Sequence, residues 1–403
     1  MAQSSTSNVQ GLLKNLYGNF LEKQQNLKHK ASDEIAKSSK KYNAGGRGFF
    51  GGINEAGNES VGAINEDEQF RTIDAEIYQQ YKVVPKVNVA PIQFTGLLAE
   101  SADSDPEAFA DAVVDALEMA KERLEKDKNR QFFGKGDGLL AKPGGSVASN
   151  VTSFSVDSAQ YLRKNMVIDI YNGASKSVDS IRIQEVDKAA NVVYFSTSIG
   201  VAVTAGSEMV KENIRDSAPA DGKEMMGLRG ITDDATELTT FEQLDASTLR
   251  IWRGTRISSA TNLTSDLLQR LLDDVRISGG EEPDLILMHH KQRRKYLDIV
   301  VPQKRFQDGK MDAGHSKLSF NGMDLMLDED CQVDTVYAIN KKFLQNYEVL
   351  PLSIGKHDGS DTYLRIANYD AFQAYFRQYS NYGTSKRNAH GKIVSLLTPS
   401  GVS

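Results

Sequence analysis

Between Phe109 and Leu124 apolar residues recur at steps of three and four: Phe109, Val113, Ala116, Leu117, Ala120 and Leu124. Asp111, Asp115, Glu118, Glu122 and Lys126 fill the opposite side. This spacing predicts an amphipathic helix with one narrow buried face, its core contacts made by Phe109, Val113, Leu117 and Leu124. The start is marked by Asp105, whose carboxylate suits the free amides of a first turn, and by Pro106, where a missing N–H costs nothing. The pattern runs to Gly134, so a helix is expected over 105–133, about 40 Å long at 1.5 Å per residue.

Upstream, Met1 to Lys41 is polar with one amphipathic patch, Val9, Leu12, Leu13, Leu16, Tyr17 and Phe20. Residues 1–48 carry eight Lys/Arg against three Asp/Glu. The patch reads either as a helix docked on its own body or as an arm docked on a neighbour through Leu13, Tyr17 and Phe20. Tyr42 to Val61 is glycine-rich, and Val61 to Phe94 reads as long extended strands punctuated by Pro85 and Pro91. Between Glu55 and Lys86 lie seven acidic residues (Glu55, Glu59, Glu66, Asp67, Glu68, Asp74, Glu76) against Arg71, Lys82 and Lys86. An isolated ribbon of this kind is marginal in water, so it must lie on another surface, most economically that of a second copy.

After the long helix, Phe132 to Gly145 is a glycine-dense turn, and Asp137 within it is read as structural. Val151 to Val210 shows short alternating strands expected to form a small antiparallel barrel or sandwich, with boundaries at Asn150 and near Asn213 that make it look inserted. Trp252, between Arg250 and Arg253, is expected to anchor a domain seam. Leu263 to Ile277 is helical in pattern, and Pro283 to Val300 places a buried strand before a basic helix, as in a mixed α/β layer. From Leu325 to Thr398, strand-like VYAIN, YLRIA and KIVSLL alternate with an aromatic stretch, Phe372, Tyr375, Phe376 and Tyr379, read as packing.

The chain has 403 residues, 39% hydrophobic and 25% charged, enough for two or three cores. A net charge of −6 predicts no general attraction to nucleic acid or to an anionic membrane. Its single cysteine, Cys331, excludes an intrachain disulfide and a multi-cysteine zinc site. Without an apolar run of membrane-spanning length or a secretory signal, a soluble protein of a cytosol-like compartment is expected, and the start at Met1 points to no cleaved N-terminal piece. The adjacent His289 and His290 do not share a helix face as a zinc helix requires, the glycine stretches lack phosphate-loop spacing, and no serine sits in a nucleophile elbow. No catalytic residue, cofactor or metal is expected, so the chain does not read as an enzyme. The strongest basic cluster, Lys291, Arg293, Arg294 and Lys295, would either touch DNA phosphates weakly and without sequence preference or face acidic groups between Asp324 and Asp334.

The order of these parts resembles the major capsid protein of tailed double-stranded DNA bacteriophages, with the Hong Kong 97-type capsid fold. The residues that carry the likeness are the polar arm, the extended loop from Gly45 to Ala90, the spine helix, FFGKGDGLL, GLRGI, Trp252, PDLILMHHKQRRKYL and RNAHGKIVSLL. The resemblance implies an α+β chain divided into an N-terminal arm (1–44), an extended loop (45–92), a peripheral domain with the spine helix (93–149), an inserted β domain (150–213), continued peripheral domain (214–258), an axial domain (259–355) and closing peripheral strands (356–403). It also implies self-assembly as hexamers and pentamers into an icosahedral head shell in the host cytoplasm. A scaffolding protein, a portal, a decoration protein and packaged double-stranded DNA are its implied partners, and no membrane. Intersubunit contacts would fall to Glu66, Asp67, Glu68 and Arg71 on the loop and Leu13, Tyr17 and Phe20 on the arm. Some relatives crosslink a loop lysine to a neighbour's asparagine; here no lysine lies between Lys41 and Lys82, which predicts a shell held without covalent links. An encapsulin-like cargo shell and a soluble multidomain α+β enzyme are the competing readings.

Overall fold

A computed structural model of the chain describes residues 31–32, 35, 48–69, 71–73, 75–96, 106–215, 222–304, 319–355 and 364–398. Leu13, Tyr17, Phe20 and Asp105 lie outside these residues, as do the side chains of Phe109 and Val113. The chain opens with β1 (Phe49–Ala56), β2 (Ile77–Val83) and β3 (Lys86–Thr95), then helix α1 (Pro106–Phe132). Six strands follow: β4 (Leu139–Ala141), β5 (Val151–Ser155), β6 (Val167–Asn172), β7 (Ser175–Asp187), β8 (Val192–Ile199) and β9 (Glu208–Lys211). Next come the single turn α2 (Leu228–Ile231), a short hairpin of β10 (Thr240–Phe241) and β11 (Leu244–Asp245), then β12 (Thr255–Ser258), α3 (Ser265–Gly279), β13 (Leu285–Met288) and α4 (His290–Lys304). The last strands are β14 (Ser319–Phe320), β15 (Met323–Leu327), β16 (Val336–Ile339), β17 (Leu344–Ile354), β18 (Leu364–Arg365), β19 (Ala371–Thr384) and β20 (Gly391–Val394).

These elements are organised around three hydrophobic cores. Strands β4, β9, β6, β7, β8 and β5 form an antiparallel sheet in that order. Its ends meet: Pro143 bridges Val156, and the Gly144 N–H donates to Ser155 O at 2.9 Å. The sheet therefore closes on itself around Leu162, Ile168, Ile170, Ile183, Val193 and Phe195. It takes in Leu139–Ala141, upstream of Asn150, because closure needs a strand to cover the β9 edge.

A second sheet, β12-β20-β16-β13-β15-β14, mixes parallel and antiparallel pairs, as the strand-then-helix pattern predicts. One face (Ile257, Ile286, Met288, Val336, Ala338, Ile393) packs on α3, whose N-cap Thr264 accepts the Leu267 N–H at 3.1 Å and whose C-cap Gly280 is left-handed. The other face (Leu285, Leu287, Tyr337, Ile339) joins the third core with Phe132, Phe133, Trp252 and Tyr382.

The third sheet is built on β19, which pairs with β3 along one edge and with β17 and β18 on the other. The aromatic stretch is thus a long strand: Ala374, Phe376, Gln378 and Ser380 are buried, while Tyr375, Arg377 and Tyr379 alternate at half-exposed positions. Helix α1 crosses β3 and delivers Phe132 and Phe133 into the third core. Trp252 sits in that core, its indole stacked with Tyr81 at 5.6 Å and donating Nε1–H to Phe241 O at 3.3 Å.

Candidate functional site

The most unusual surface is the arm made by β1 and β2. Phe49 pairs with Val83 and the ladder runs outward to Ala56 and Ile77. Beyond it, the described residues from 57 to 73 contain no strand, where continuous extended structure had been expected, and β1 lies inside the glycine-rich stretch. The ribbon and the loop beyond it leave much uncovered: Tyr78 on β2 is 64% exposed, and Val61 and Ile73 on the loop are 86% and 81% exposed. Of sixteen large apolar side chains exposed among the described residues, nine lie between Phe50 and Val89, so the uncovered surface is concentrated rather than scattered. Glu66, Asp67, Glu68 and Arg71 are all exposed on this loop; a side chain at Gly62 would collide with the Arg71 guanidinium, so Arg71 lies across the loop.

The root of the arm is held firmly. The Lys82 N–H donates to Glu242 O at 2.9 Å, and Asn381 Nδ2 donates to Val84 O at 2.7 Å. Glu242 and Gln243 form the two-residue turn between β10 and β11, both in the left-handed region. Glu242 is half-buried as a residue, and its carboxyl is enclosed: Oε1 accepts the Thr384 N–H at 3.0 Å and Oε2 has no partner. Burial pushes its pKa up to about 8. Thr384 also meets His390, whose Nδ1 accepts the Asn340 N–H at 3.2 Å. Nε2 therefore carries the proton and donates to Thr384 Oγ1, and burial lowers this imidazole to about 3.

Behind the root lie two buried cations. Arg387 donates to the carbonyls of Gly230, Ile231 and Trp252 and stands 4.4 Å from the Phe241 ring. Lys392, on β20, pairs with Asp233 at 2.9 Å and donates to Arg229 O; burial lowers its pKa, opposed by Glu237 and Asp233. These groups fix GLRGI against the end of α1, where a side chain at Gly227 would collide with the carbonyls of Gln131 and Phe132.

Helix α1 is charged along its far side, yet its last turns are buried there. Lys126, assigned to the outward side by its spacing, is 4% exposed with its ammonium 2.9 Å from Asp330. The reason is that the Asp328–Cys331 loop covers it, itself held by the barrel through Tyr161, which donates to Asp330 O at 2.5 Å. Asn129 donates to Asp328 and Asp330. Arg130 pairs with Asp127 and Glu224, while Lys211 of β9 reaches Asp127 at 2.6 Å. Burial raises the Asp127 carboxyl, but Arg130 and Lys211 more than offset it and hold it well below the carboxylate range. Helical Ala31, Ser32 and Ile35 dock on the same spot, the Ala31 N–H donating to Asp328 Oδ2 at 3.0 Å and the Ser32 N–H to Asn129 Oδ1 at 3.1 Å.

Of the other expected contacts, Leu124 is buried and Leu117 half-buried on α1. Lys291, Arg293 and Lys295 are half-buried and Arg294 exposed on α4, whose first turn is capped by His289 Nδ1 accepting the Lys291 N–H. Asp137 is buried and paired with Arg215 and Lys135, a structural turn. Cys331 is buried, which raises its thiol well above the ordinary value. Among the described residues no cluster of His, Cys, Asp or Glu could hold a metal ion, and no helix is long and apolar enough to cross a membrane. The buried Arg130, Glu224, Arg387 and Lys392 and the half-buried Glu242 escaped sequence reading; Lys392 inside the apolar KIVSLL strand was the one available signal.

No protein-family model and no curated protein matches this sequence. Solved structures do. A chain of the Cyanophage A-1(L) capsid asymmetric unit is 12% identical, with a TM-score of 0.60 over 98% of this chain and 99% of that one. A Gordonia phage Cozz structure is 10% identical (TM-score 0.49; 98% and 96% covered), and a Mycobacterium phage Adephagia structure 11% identical (0.47; 99% and 100%). The chain has the fold of the Cyanophage A-1(L) capsid chain, shared from end to end.

Proposed function

We propose that this protein is the major capsid protein of a tailed phage, a structural subunit that self-assembles into the head shell enclosing packaged double-stranded DNA. A shared fold does not assign function by itself. The observation that carries the reading is the arm: a rooted two-stranded ribbon whose apolar side chains find no cover in their own chain. On this reading the fold is of the Hong Kong 97 type, α1 is the spine helix of a peripheral domain, residues 259–355 form the axial domain, and the closed barrel is an inserted domain. Hexamers and pentamers build the shell, with scaffolding protein, portal and decoration protein as partners, and assembly takes place in the host cytoplasm. Leu117 and Leu124, with Phe109 and Val113, hold the spine helix to its domain. Glu66, Asp67, Glu68 and Arg71, with Leu13, Tyr17 and Phe20, meet neighbours, and Lys291, Arg293, Arg294 and Lys295 make weak DNA or intersubunit charge contacts.

Electron microscopy of the expressed protein tests the reading: closed icosahedral particles are expected, and a monomer or small oligomer at assembly concentrations rejects it in favour of a soluble α+β protein. Particles that yield nuclease-protected DNA separate a virion from an encapsulin-like cargo shell. Because no lysine lies between Lys41 and Lys82, the outer part of the loop has no amine to crosslink, so particles boiled in detergent should run as monomer, and a ladder would overturn the non-covalent part of the proposal.

A further inference from the structure

Beside the root of the arm lies a cavity of about 260 Å³, lined by Ile53 on β1, Ile251, Trp252 and Phe343, with Lys386 and Arg387 at its edge. That is smaller than the roughly 300–1,000 Å³ of a small-molecule site, and its walls are chiefly apolar. Its rim is cationic. Lys342 and Lys386 stand 4.9 and 5.4 Å from the Phe343 ring, and the two ammoniums share one carboxylate, Glu281, at 4.0 and 3.7 Å. Two ammoniums thus meet a single carboxylate beside Phe343.

The arm's outer loop has the complementary character. Val61 and Ile73 are exposed on the two sides of this loop, and the Arg71 guanidinium lies against Gly62 and so spans from one side to the other; Val61, Ile73 and this tie form the knob of the arm. Carboxylates frame it: Glu59 precedes Val61, and Glu66, Asp67, Glu68 and Glu76 follow. With Val61 and Ile73 both more than four-fifths exposed, the knob does not fill the cavity of its own chain.

We infer that the cavity walled by Ile53, Ile251, Trp252 and Phe343 receives the Val61–Ile73 knob of a second copy, with Lys342 and Lys386 facing that copy's carboxylates. This rests on the shell reading and names the receptor for the arm. Knob and cavity are different surfaces, so the contact is head-to-tail, and repeated around an axis it closes into a ring. Each arm then docks beside the root of the next, which makes the seat of one arm dependent on the placement of another.

A disulfide trap tests the pairing. Ile73→Cys and Ile251→Cys replace exposed side chains, and the native Cys331 is buried and does not compete. Oxidised particles of the double variant are expected to give a non-reducing ladder of covalent multimers that neither single variant shows. Particles of normal size that run as monomer overturn the inference and leave the shell reading standing. A benzoylphenylalanine at position 251 identifies the occupant independently of disulfide geometry. Crosslinks to residues 59–73 of another chain support the assignment; crosslinks to residues 1–30, the other apolar and basic segment, or to any third protein overturn it. A wild type that forms no closed particles rejects the shell reading and this inference with it.

Discussion

The barrel and the arm are both antiparallel β-structure made from short alternating segments, and they end in opposite conditions. In the barrel, six strands curl until the ends of the sheet meet at the Pro143–Val156 bridge, and their inward residues pack into one core. In the arm, two strands have nothing behind them beyond their root, and the same alternation leaves Phe50 and Tyr78 in solvent, with Val61 and Ile73 exposed on the loop beyond them. Hydrophobic alternation therefore specifies a strand without saying what covers it. The number of strands available to share one face decides whether a β-element is self-sufficient or needs a partner.

Emptying the barrel core should have the largest effect. Phe195→Ala removes a side chain packed 5.2 Å from Phe154 and is expected to cost about 3–5 kcal/mol, read as a lowered denaturation midpoint with barrel amides losing exchange protection. Loss of protection in the arm instead would show that the two regions are one cooperative unit.

Next is the pH response at the arm's root. The folded protein keeps a proton on Glu242 that the unfolded chain releases between 4.5 and about 8, so stability falls as pH rises through that window. His390 acts oppositely: its folded pKa of about 3 lies below 6.5, so its contribution is lost as pH falls from 6.5. Between 4.5 and 6.5 the two slopes oppose each other; from 6.5 to 8 only that of Glu242 remains. Thermal melts across pH 6.5–8 should show a decline of up to a few kcal/mol, flattened in Glu242→Gln. An unchanged slope in that variant would mean that its carboxyl is already ionised.

The arm itself should be nearly silent in the free chain. Val61→Ser with Ile73→Ser is expected to change unfolding free energy by less than about 0.5 kcal/mol, as for surface positions generally, while particle yield falls sharply. Equal losses in both assays would place these side chains in an intrachain core. Finally, limited proteolysis of the unassembled chain should cut between 57 and 76 before it cuts the barrel, since the described residues there form neither helix nor strand.

Much of the fold was legible wherever the signal is local. Helix α1 announced itself through Pro106 and a periodic stripe and occupies Pro106–Phe132; α3, β13 and most barrel strands follow from their patterns. What escaped depends on distant partners. Lys126 and Arg130 look like outward charges until Asp330 and Glu224, far along the chain, cover them. Strand β19 is hidden because aromatic residues fall on both its buried and its half-exposed face, which blurs the period of two. Strand β1 is masked by its glycines and exists through pairing with β2. For the candidate site, the acidic exposed loop could be read directly, whereas the cavity could not: Ile53, Ile251 and Phe343 come together only through tertiary packing.

The position of β20 sets an order of events during synthesis. Residues 391–394 insert between β12 and β16, bringing Lys392 to Asp233 and, just before it, Arg387 to the carbonyls behind the arm's root. Until the ribosome has made this strand, two earlier strands lack their shared neighbour and the arm's support is incomplete. A chain that ends short of this strand would therefore carry an arm whose root is unfinished, although every residue of the arm itself is already in place.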